Sequence, residues 1–193
     1  MSALADRSLR VALETGVLTV DPLGEDAVQP ASIDLRLGPR LLSPWGCLEE
    51  ADFSTGALPR RYQEVSVEEA GWPLAPGTVA LGATLERIAL PSMMVGYLWG
   101  RSTLARLFVQ VHAAGLLDPG YDGHPTLEIV NLGPHRVWLS AGDPIAQLVV
   151  HQLDGPAERL YGGSGLGSRY QGDTEPTPAR CACGDAGGYR RGR

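Results

Sequence analysis

Short apolar runs, separated by glycine and proline, make up most of the chain after residue 32. Runs of about four to eight residues bounded by turn residues are typical of β-strands. The chain supplies 25 glycines and 15 prolines for such turns. The pattern therefore predicts a mainly β domain of the barrel or sandwich kind. The predicted strands are Ile33–Leu37, Thr78–Thr84, Val95–Trp99, Thr126–Asn131, Arg136–Leu139 and Ile145–Gln152.

Two short helices are predicted beside these strands. Residues Asp6 to Gly16 place apolar side chains at helical spacing and end on a glycine that suits a C-terminal cap. A second helix of one or two turns is predicted over Ser102–Phe108, with Ser102 as its cap. The residues expected to pack inward are Leu9, Ala12 and Leu13 in the first helix and Leu104, Ala105 and Leu107 in the second.

The chain divides into one domain and two later parts. Residues 1–160 are predicted to form the domain, because 193 residues suffice for one core of ordinary size. Residues 161–180, here called the carboxyl-terminal segment, are rich in glycine and cannot bury a core of their own. This segment is expected either to be a disordered tail or to form a lid that orders over a ligand. Residues 181–193 are predicted to be a disordered tail.

Composition excludes a membrane span and indicates a cytoplasmic protein. Hydrophobic residues make up 44% and charged residues 20% of the chain, which is ordinary for a globular domain. No apolar stretch approaches the roughly 20 residues that a membrane helix needs. The first residues carry Asp6, Arg7 and Arg10 and lack the unbroken apolar core of a secretion signal.

The charge balance favours a small anionic partner over a nucleic-acid polymer. The net charge is -6, with 22 acidic and 16 basic residues, and every basic residue is arginine. Arginine offers a planar fork of donors that suits phosphate oxygens. A negative net charge argues against general affinity for a nucleic-acid backbone. The expected partner is therefore a nucleotide.

Cysteine usage does not indicate a zinc site. The chain contains Cys47, Cys181 and Cys183, and a spacing of one intervening residue is not the usual half of a zinc site. Reduced thiols without a metal are the better interpretation.

A Gly-Arg-Ser turn begins the second predicted helix at Gly100. Such a turn offers backbone amides, the Arg101 guanidinium and the Ser102 hydroxyl at one point, which is how proteins often bind phosphate. A capped helix on the surface would produce the same pattern.

Glu128 stands in an otherwise apolar predicted strand. Leu127 and Ile129 fall on the opposite face, and Thr126 lies on its own face. The carboxylate either faces solvent or sits in a site where burial raises its pKa towards acid–base work. Arg106 could then be its charge partner or a substrate contact. Periodicity alone leaves these alternatives open.

Several motifs together resemble the dCTP deaminases, members of a superfamily shared with the trimeric dUTPases. The resemblance extends over roughly residues 5 to 180, and the specificity lies in the combination of motifs. The matching stretches are Gly100–Arg106 (Gly-Arg-Ser-Thr-Leu-Ala-Arg), Asp118–Tyr121, Thr126–Glu128, Gln29–Gly38, Gly142–Leu148, Tyr161 and Ser168–Gly172.

The resemblance implies a β-rich, dUTPase-like homotrimer with short helices and with sites between subunits. It implies an enzyme that hydrolyses dCTP to dUTP and ammonia, with Mg²⁺ bound through the nucleotide's triphosphate and with no zinc. The His-x-Glu and Pro-Cys-x-x-Cys signature of the zinc deaminases is absent from this sequence.

The same resemblance assigns roles to residues. Glu128 would take a proton from the attacking water and deliver one to the ring nitrogen and then one to the departing ammonia, assisted by Arg106 and Ser102. No protein side chain is assigned to a metal. The residues implied to bind substrate are Arg101, Thr103, Leu104, Ala105, Asp118, Thr126, Leu127, Gln147, Tyr161, Arg169 and Gln171.

Three other functions stay open at this point. A dUTP diphosphatase shares much of the pattern, but it usually lacks Arg106 and has an apolar residue at the position of Glu128. A bifunctional deaminase that forms dUMP and pyrophosphate resembles this chain in having Gly115, where single-function deaminases often carry histidine. A nucleotide sensor without catalysis could use the same scaffold.

The chain also departs from the family pattern. The stretch from Arg106 to Asp118 is one residue shorter than usual. Asp173 falls where a glutamine usually helps to cover the triphosphate, and Arg169 replaces a usual lysine. The four histidines, His112, His124, His135 and His151, are interpreted as structural or exposed, and Trp45, Trp72, Trp99 and Trp138 as core or trimer contacts.

Overall fold

The computed structural model describes residues 2–44, 51–52, 58–59, 61–68, 71–112 and 115–180. Within these residues there are two helices, α1 (Asp6–Glu14) and α2 (Ser102–Arg106). The strands are β1 (Ser2–Ala3), β2 (Thr19–Asp21), β3 (Val28–Gln29), β4 (Ser32–Ser43), β5 (Gln63–Ser66), β6 (Trp72–Leu74), β7 (Val79–Thr84), β8 (Arg87–Ala89), β9 (Met94–Gly100), β10 (Val109–His112), β11 (Leu116–Leu117), β12 (Asp122–Gly123), β13 (Thr126–Asn131), β14 (Val137–Leu139) and β15 (Pro144–Gln152).

One large antiparallel sheet organises the domain. Its strand order is β10-β13-β7-β4-β15-β9-β11, with β1 on β15 and with β3 and β5 on β4. Two smaller sheets have the orders β12-β8-β2 and β14-β6. The prediction of a mainly β domain is confirmed, and each predicted strand overlaps an observed one. The short strands β1, β3 and β12 have only two residues each and give little period-two signal.

The long strand β4 corrects one predicted boundary. The sequence predicts that the strand ends at Leu37, because Gly38 and Pro39 follow it. The structure continues it to Ser43, with a shift of register against β7 between Leu37 and Leu41. The strand persists because Leu41 re-enters the core with no exposed surface, as a bulge permits.

The core lies beneath the large sheet and α1. Its fully buried side chains come from helix and sheet alike, and Leu9 and Ala12 of α1 are buried as predicted, with Leu13 packed against the core. The largest fully buried side chains include Leu9, Ile33, Leu35, Leu37, Leu41, Leu127, Ile129 and Ile145. Their removal from water is the main favourable term in folding.

Helix α2 differs from its prediction. It has five residues, its N-cap is Arg101, and no side chain caps it. Leu104 packs against the core, but Ala105 is exposed and Leu107 is 41% exposed. The expectation that Ala105 and Leu107 pack inward is therefore wrong, because a single turn on the surface presents only one side chain to the sheet.

The described tryptophans fall into two groups, one packed against the core and one exposed. Trp72 is half-buried and packs against the core, whereas Trp99 and Trp138 are 64% and 58% exposed. A core role is thus excluded for the last two, and Trp45 lies outside the described residues. In the part of the chain that the structure describes, no helix is long and apolar enough to cross a membrane.

A buried carboxylate fastens β4 to the turn between β7 and β8. The Glu86 side chain is 1% exposed and accepts hydrogen bonds from Arg36 Nε at 2.6 Å and from the Arg36 backbone N–H at 2.9 Å. The same guanidinium donates to the carbonyl of Pro22 at 2.9 Å. One ion pair therefore joins three parts of the chain.

We predict that Glu86→Gln lowers the free energy of unfolding by about 2 kcal/mol, because it removes one partner of a largely buried pair whose arginine is partly exposed. Glu64→Gln is the matched control, since the Arg40–Glu64 pair is 54% and 61% exposed. The control is expected to cost less than about 1 kcal/mol. If urea denaturation showed that both variants lose the same free energy of unfolding, a special role for Glu86 would be contradicted.

Candidate active site

Strand β13 places its polar side chains in a cavity and its apolar ones in the core. Leu127 and Ile129 have no exposed surface, while Thr126 and Glu128, on the other face, line a cavity of about 380 Å³. His124 precedes the strand by two residues and continues the same polar face. The alternation predicted around Glu128 is observed. Of the two predicted environments for the carboxylate, open solvent or a site, the structure places it in the wall of a cavity.

Other parts of the cavity wall come from the β11–β12 region and the carboxyl-terminal segment. Asp118 and Tyr121 follow β11, and Gly115 precedes it. Gly115 has φ +79, a left-handed conformation that side-chain-bearing residues rarely adopt. From the carboxyl-terminal segment, the lining residues are Tyr161, Tyr170, Asp173, Thr177 and Ala179.

Tyr121 contributes a neutral phenol to this cavity. Its side chain is 5% exposed, and its ring centroid lies 5.7 Å from that of Tyr161. Burial raises the pKa of Tyr121 above its ordinary value, and the nearby Tyr161 and Asp173 add to the effect. The hydroxyl is therefore protonated at neutral pH and can donate a hydrogen bond.

The carboxyl-terminal segment is bonded to the rim of the cavity. Gln171 Nε2 donates to the Gly120 carbonyl at 3.0 Å, and the Gly172 N–H donates to the Asp122 carbonyl at 2.8 Å. The Thr177 N–H donates to Thr126 Oγ1 at 3.0 Å. These bonds bring residues 171–177 beside the strand that carries Glu128.

A second cavity of about 400 Å³ adjoins the first. It is lined by Arg159 and Arg169, together with Ser168 and Leu166. Asp118 and Tyr161 line both cavities. Two arginines beside a hydroxyl suit an anion with several oxygens, so the two cavities together could hold a molecule with one apolar and one anionic end.

The Gly-Arg-Ser turn and α2 form a separate group. The Arg101 guanidinium is ion-paired with Asp34, and Gln147 Nε2 donates to Asp34 Oδ1 at 3.1 Å. Ser102, Thr103, Ala105 and Arg106 are exposed. No described residue from 101 to 106 lines either cavity. One chain therefore holds the predicted site residues in two places.

The structure changes the interpretation of three residues, Leu127, His124 and Asp173. Leu127, implied as a substrate contact, has its side chain in the core, so that side chain cannot line the cavity. His124, interpreted as structural or exposed, lines the cavity, and its Nδ1 lies 3.1 Å from the Thr84 carbonyl oxygen. Asp173, noted only as a departure, is a wall residue. Gln171 is exposed and lies at the rim.

The sequence missed His124, Tyr121 and Asp34 as site residues. A signal existed for His124, because it stands two and four residues before Thr126 and Glu128 and so shares their face. Asp34 lies in the motif Gln29–Gly38, but its contact with Arg101 joins residues 67 positions apart, which no local pattern reveals. His135 is exposed, and His151 is half-buried against the ring of Tyr97.

The described residues contain no group of three or more His, Cys, Asp or Glu side chains arranged to hold a metal ion. The carboxylates of Asp118, Glu128 and Asp173 line one cavity without forming such a group.

Comparison with known proteins identifies the family of this chain. A sequence model of the dCTP deaminase-like family matches residues 3–153. A dCTP deaminase from Natronomonas pharaonis is 43% identical, covering 92% of this chain and 93% of its own. A dUMP-forming dCTP deaminase from Mycolicibacterium vanbaalenii is 39% identical, covering 92% and 94%. The chain belongs to the dCTP deaminase-like family.

A solved structure has the same fold. The crystal structure of 2'-deoxycytidine 5'-triphosphate deaminase from Agrobacterium tumefaciens superimposes with a TM-score of 0.63 at 25% identity. The match covers 78% of this chain and 47% of that one, so this chain spans about half the length of the Agrobacterium chain.

Proposed function

We propose that the protein is a dCTP deaminase, which hydrolyses dCTP to dUTP and ammonia in the cytoplasm. The observation that carries this proposal is the position of Glu128 in a cavity wall, on a strand whose opposite face is fixed in the core. A carboxylate so placed can exchange protons with a water and a bound ring. The names of the relatives above support the choice of cytosine nucleotide.

In the proposed reaction Glu128 accepts a proton from water as the water oxygen bonds to C4 of cytosine. The carboxylic acid then gives that proton to the ring nitrogen, where it stays, and the carboxylate transfers the second water proton from the new C4 hydroxyl to the amino group. The C4–N bond breaks, ammonia leaves and the carbonyl of uracil forms. One water is consumed for each ammonia released. Tyr121 can donate a hydrogen bond to the nucleotide, and Asp118 can accept one from its sugar.

We propose that the site is completed in a homotrimer by α2 of a neighbouring subunit. The first cavity has three carboxylates and no arginine among its described lining residues, whereas Ser102, Thr103 and Arg106 are exposed on α2. An anionic substrate needs that positive charge. Near α2, Trp99, Leu107 and Phe108 are 64%, 41% and 61% exposed, and such an apolar surface is typical of a subunit contact.

The proposed cofactor is Mg²⁺, held by the phosphate oxygens of the nucleotide. Bound there, the ion would neutralise charge on the triphosphate. Arg169 of the second cavity and Arg101 are the residues proposed to share that task. Zinc has no proposed role, because the sequence lacks the zinc deaminase signature. The carboxyl-terminal segment is proposed to act as the lid.

A second candidate is the bifunctional reaction that continues to dUMP and pyrophosphate. Gly115 lines the cavity with φ +79, so no side chain fills the space where the uracil product would sit. Asp118 borders both cavities and could orient a second water towards the α-phosphate. Several relatives at 39–41% identity are named as dUMP-forming.

We predict that Glu128→Gln lowers the rate of ammonia release at least about a hundredfold, since the amide cannot carry the proton. Binding of dCTP, measured by calorimetry, should stay close to that of the wild type because the shape is kept. Glu14→Gln, at the end of α1, is the control. Near-normal ammonia release by Glu128→Gln would refute the mechanism.

Mixed trimers test the shared site. Chains with Glu128→Gln and chains with Arg106→Ala should each be inactive alone. After co-expression, about a quarter of the sites should combine an intact Glu128 with an intact Arg106, given random assembly of a closed trimer. Ammonia release should recover accordingly. Inactive mixed trimers of verified composition would place both residues in the same chain's site.

Product analysis separates the two candidate reactions. Incubation of dCTP with enzyme and magnesium should release ammonia in either case. Early dUMP and pyrophosphate without free dUTP would establish the coupled reaction, and Asp118→Asn should then suppress dUMP more than ammonia. Accumulation of uncleaved dUTP would rule out the second activity and leave Asp118 with a role in substrate binding.

A further inference from the structure

Arg180 joins the two ends of a loop within the carboxyl-terminal segment. Its Nη2 lies 2.9 Å from Asp173 Oδ1, and its guanidinium carbon lies 5.5 Å from the centre of the Tyr170 ring. Its backbone N–H donates to the Tyr170 hydroxyl at 3.1 Å, and its Nη1 donates to the Arg169 carbonyl. One residue thus returns the chain from position 180 to positions 169–173.

Asp173 is the acidic partner in this arrangement, and it lies in the cavity wall. Its side chain is 10% exposed, and it shares the first cavity with Asp118 and Glu128. Oδ2 is buried and has no hydrogen-bond partner in the described part of the chain. Its backbone carbonyl accepts a bond from the His124 N–H at 2.8 Å, which holds the residue in place.

The charge on Asp173 needs compensation for two reasons. A carboxylate removed from water loses its hydration, and an opposite charge at hydrogen-bond distance must offset that loss. A third negative charge in the cavity would also repel an anionic nucleotide. Arg180 supplies a positive charge at 2.9 Å and so answers both requirements.

We propose that Arg180 is a positioning residue: by neutralising Asp173 it lets the backbone bonds from Gly172 and Thr177 keep the carboxyl-terminal segment closed over the bound nucleotide. The group of Arg180, Asp173 and Tyr170 is here called the clasp. Arg180 lines neither cavity and acts through Asp173. The inference rests on the proposed function for the identity of the nucleotide, but the clasp itself does not depend on turnover.

Charge compensation makes a specific prediction about pairs of substitutions. Arg180→Gln should weaken dCTP binding and raise KM about tenfold, with a smaller change in kcat, because it leaves Asp173 as an unpaired buried charge. Asp173→Asn alone is the reference variant, since it carries no charge at this position. The double variant Asp173→Asn/Arg180→Gln should bind dCTP within about threefold of Asp173→Asn, since it has no unpaired charge. Arg180→Lys should preserve most of the affinity.

The experiment measures dCTP affinity by calorimetry, KM and kcat by ammonia release, and chymotrypsin cleavage after Tyr170 in the free protein. Arg10→Gln, an exposed residue of α1, is the matched control. Faster cleavage of Arg180→Gln and its reversal in the double variant support the clasp without any nucleotide. Failure of Asp173→Asn to restore affinity or protection in the Arg180→Gln background overturns the proposal. A wild type that binds dCTP but releases no ammonia would instead refute the deaminase function.

Discussion

The site depends on the strict alternation of one strand. In β13, Leu127 and Ile129 are locked in the core, and this fixes the direction of Thr126 and Glu128 on the other face. The strand is held on both edges, with Ile129 opposite Val111 in β10 and opposite Ala80 in β7. A slip of one residue would bury the carboxylate and expose the leucine. The free energy gained by burying the apolar face of β13 therefore fixes the position of the Glu128 carboxylate.

The remaining walls are built by contacts between distant parts of the chain. The carboxyl-terminal segment reaches the rim through backbone bonds from residues 172 and 177. Gly120 makes the approach possible, because a Cβ there would lie 2.7 Å from Leu160 Cβ. With φ +87 at the same residue, both sterics and backbone conformation call for glycine. The cavity thus depends on a turn that no other residue type fills easily.

The sequence predicted those parts whose signal is local. Alternation identified β13 and the face of Glu128, and helical spacing identified α1. The sequence-based prediction failed at Gly38. Glycine and proline there indicate a turn, but the strand continues to Ser43 because Leu41 packs in the core. It also failed at α2, where one surface turn does not follow the inward pattern of Ala105 and Leu107. Contacts such as Arg101 with Asp34 and Arg180 with Asp173 join residues that are distant or locally unpatterned. The motifs contained Arg101 and Asp34 without showing that the two pair, and they contained neither Arg180 nor Asp173.

The acidic wall of the first cavity has a consequence for the response to ionic strength. Asp118 and Glu128 face the same space as Asp173, whose charge Arg180 offsets, and the chain as a whole carries a net charge of -6. An anion entering this space meets repulsion from the wall and attraction from whichever arginines reach it. Dissolved salt screens both forces over roughly 8–10 Å. Added salt therefore does not simply lower the affinity for the nucleotide, because it weakens the repulsion from the carboxylates together with the attraction to the arginines.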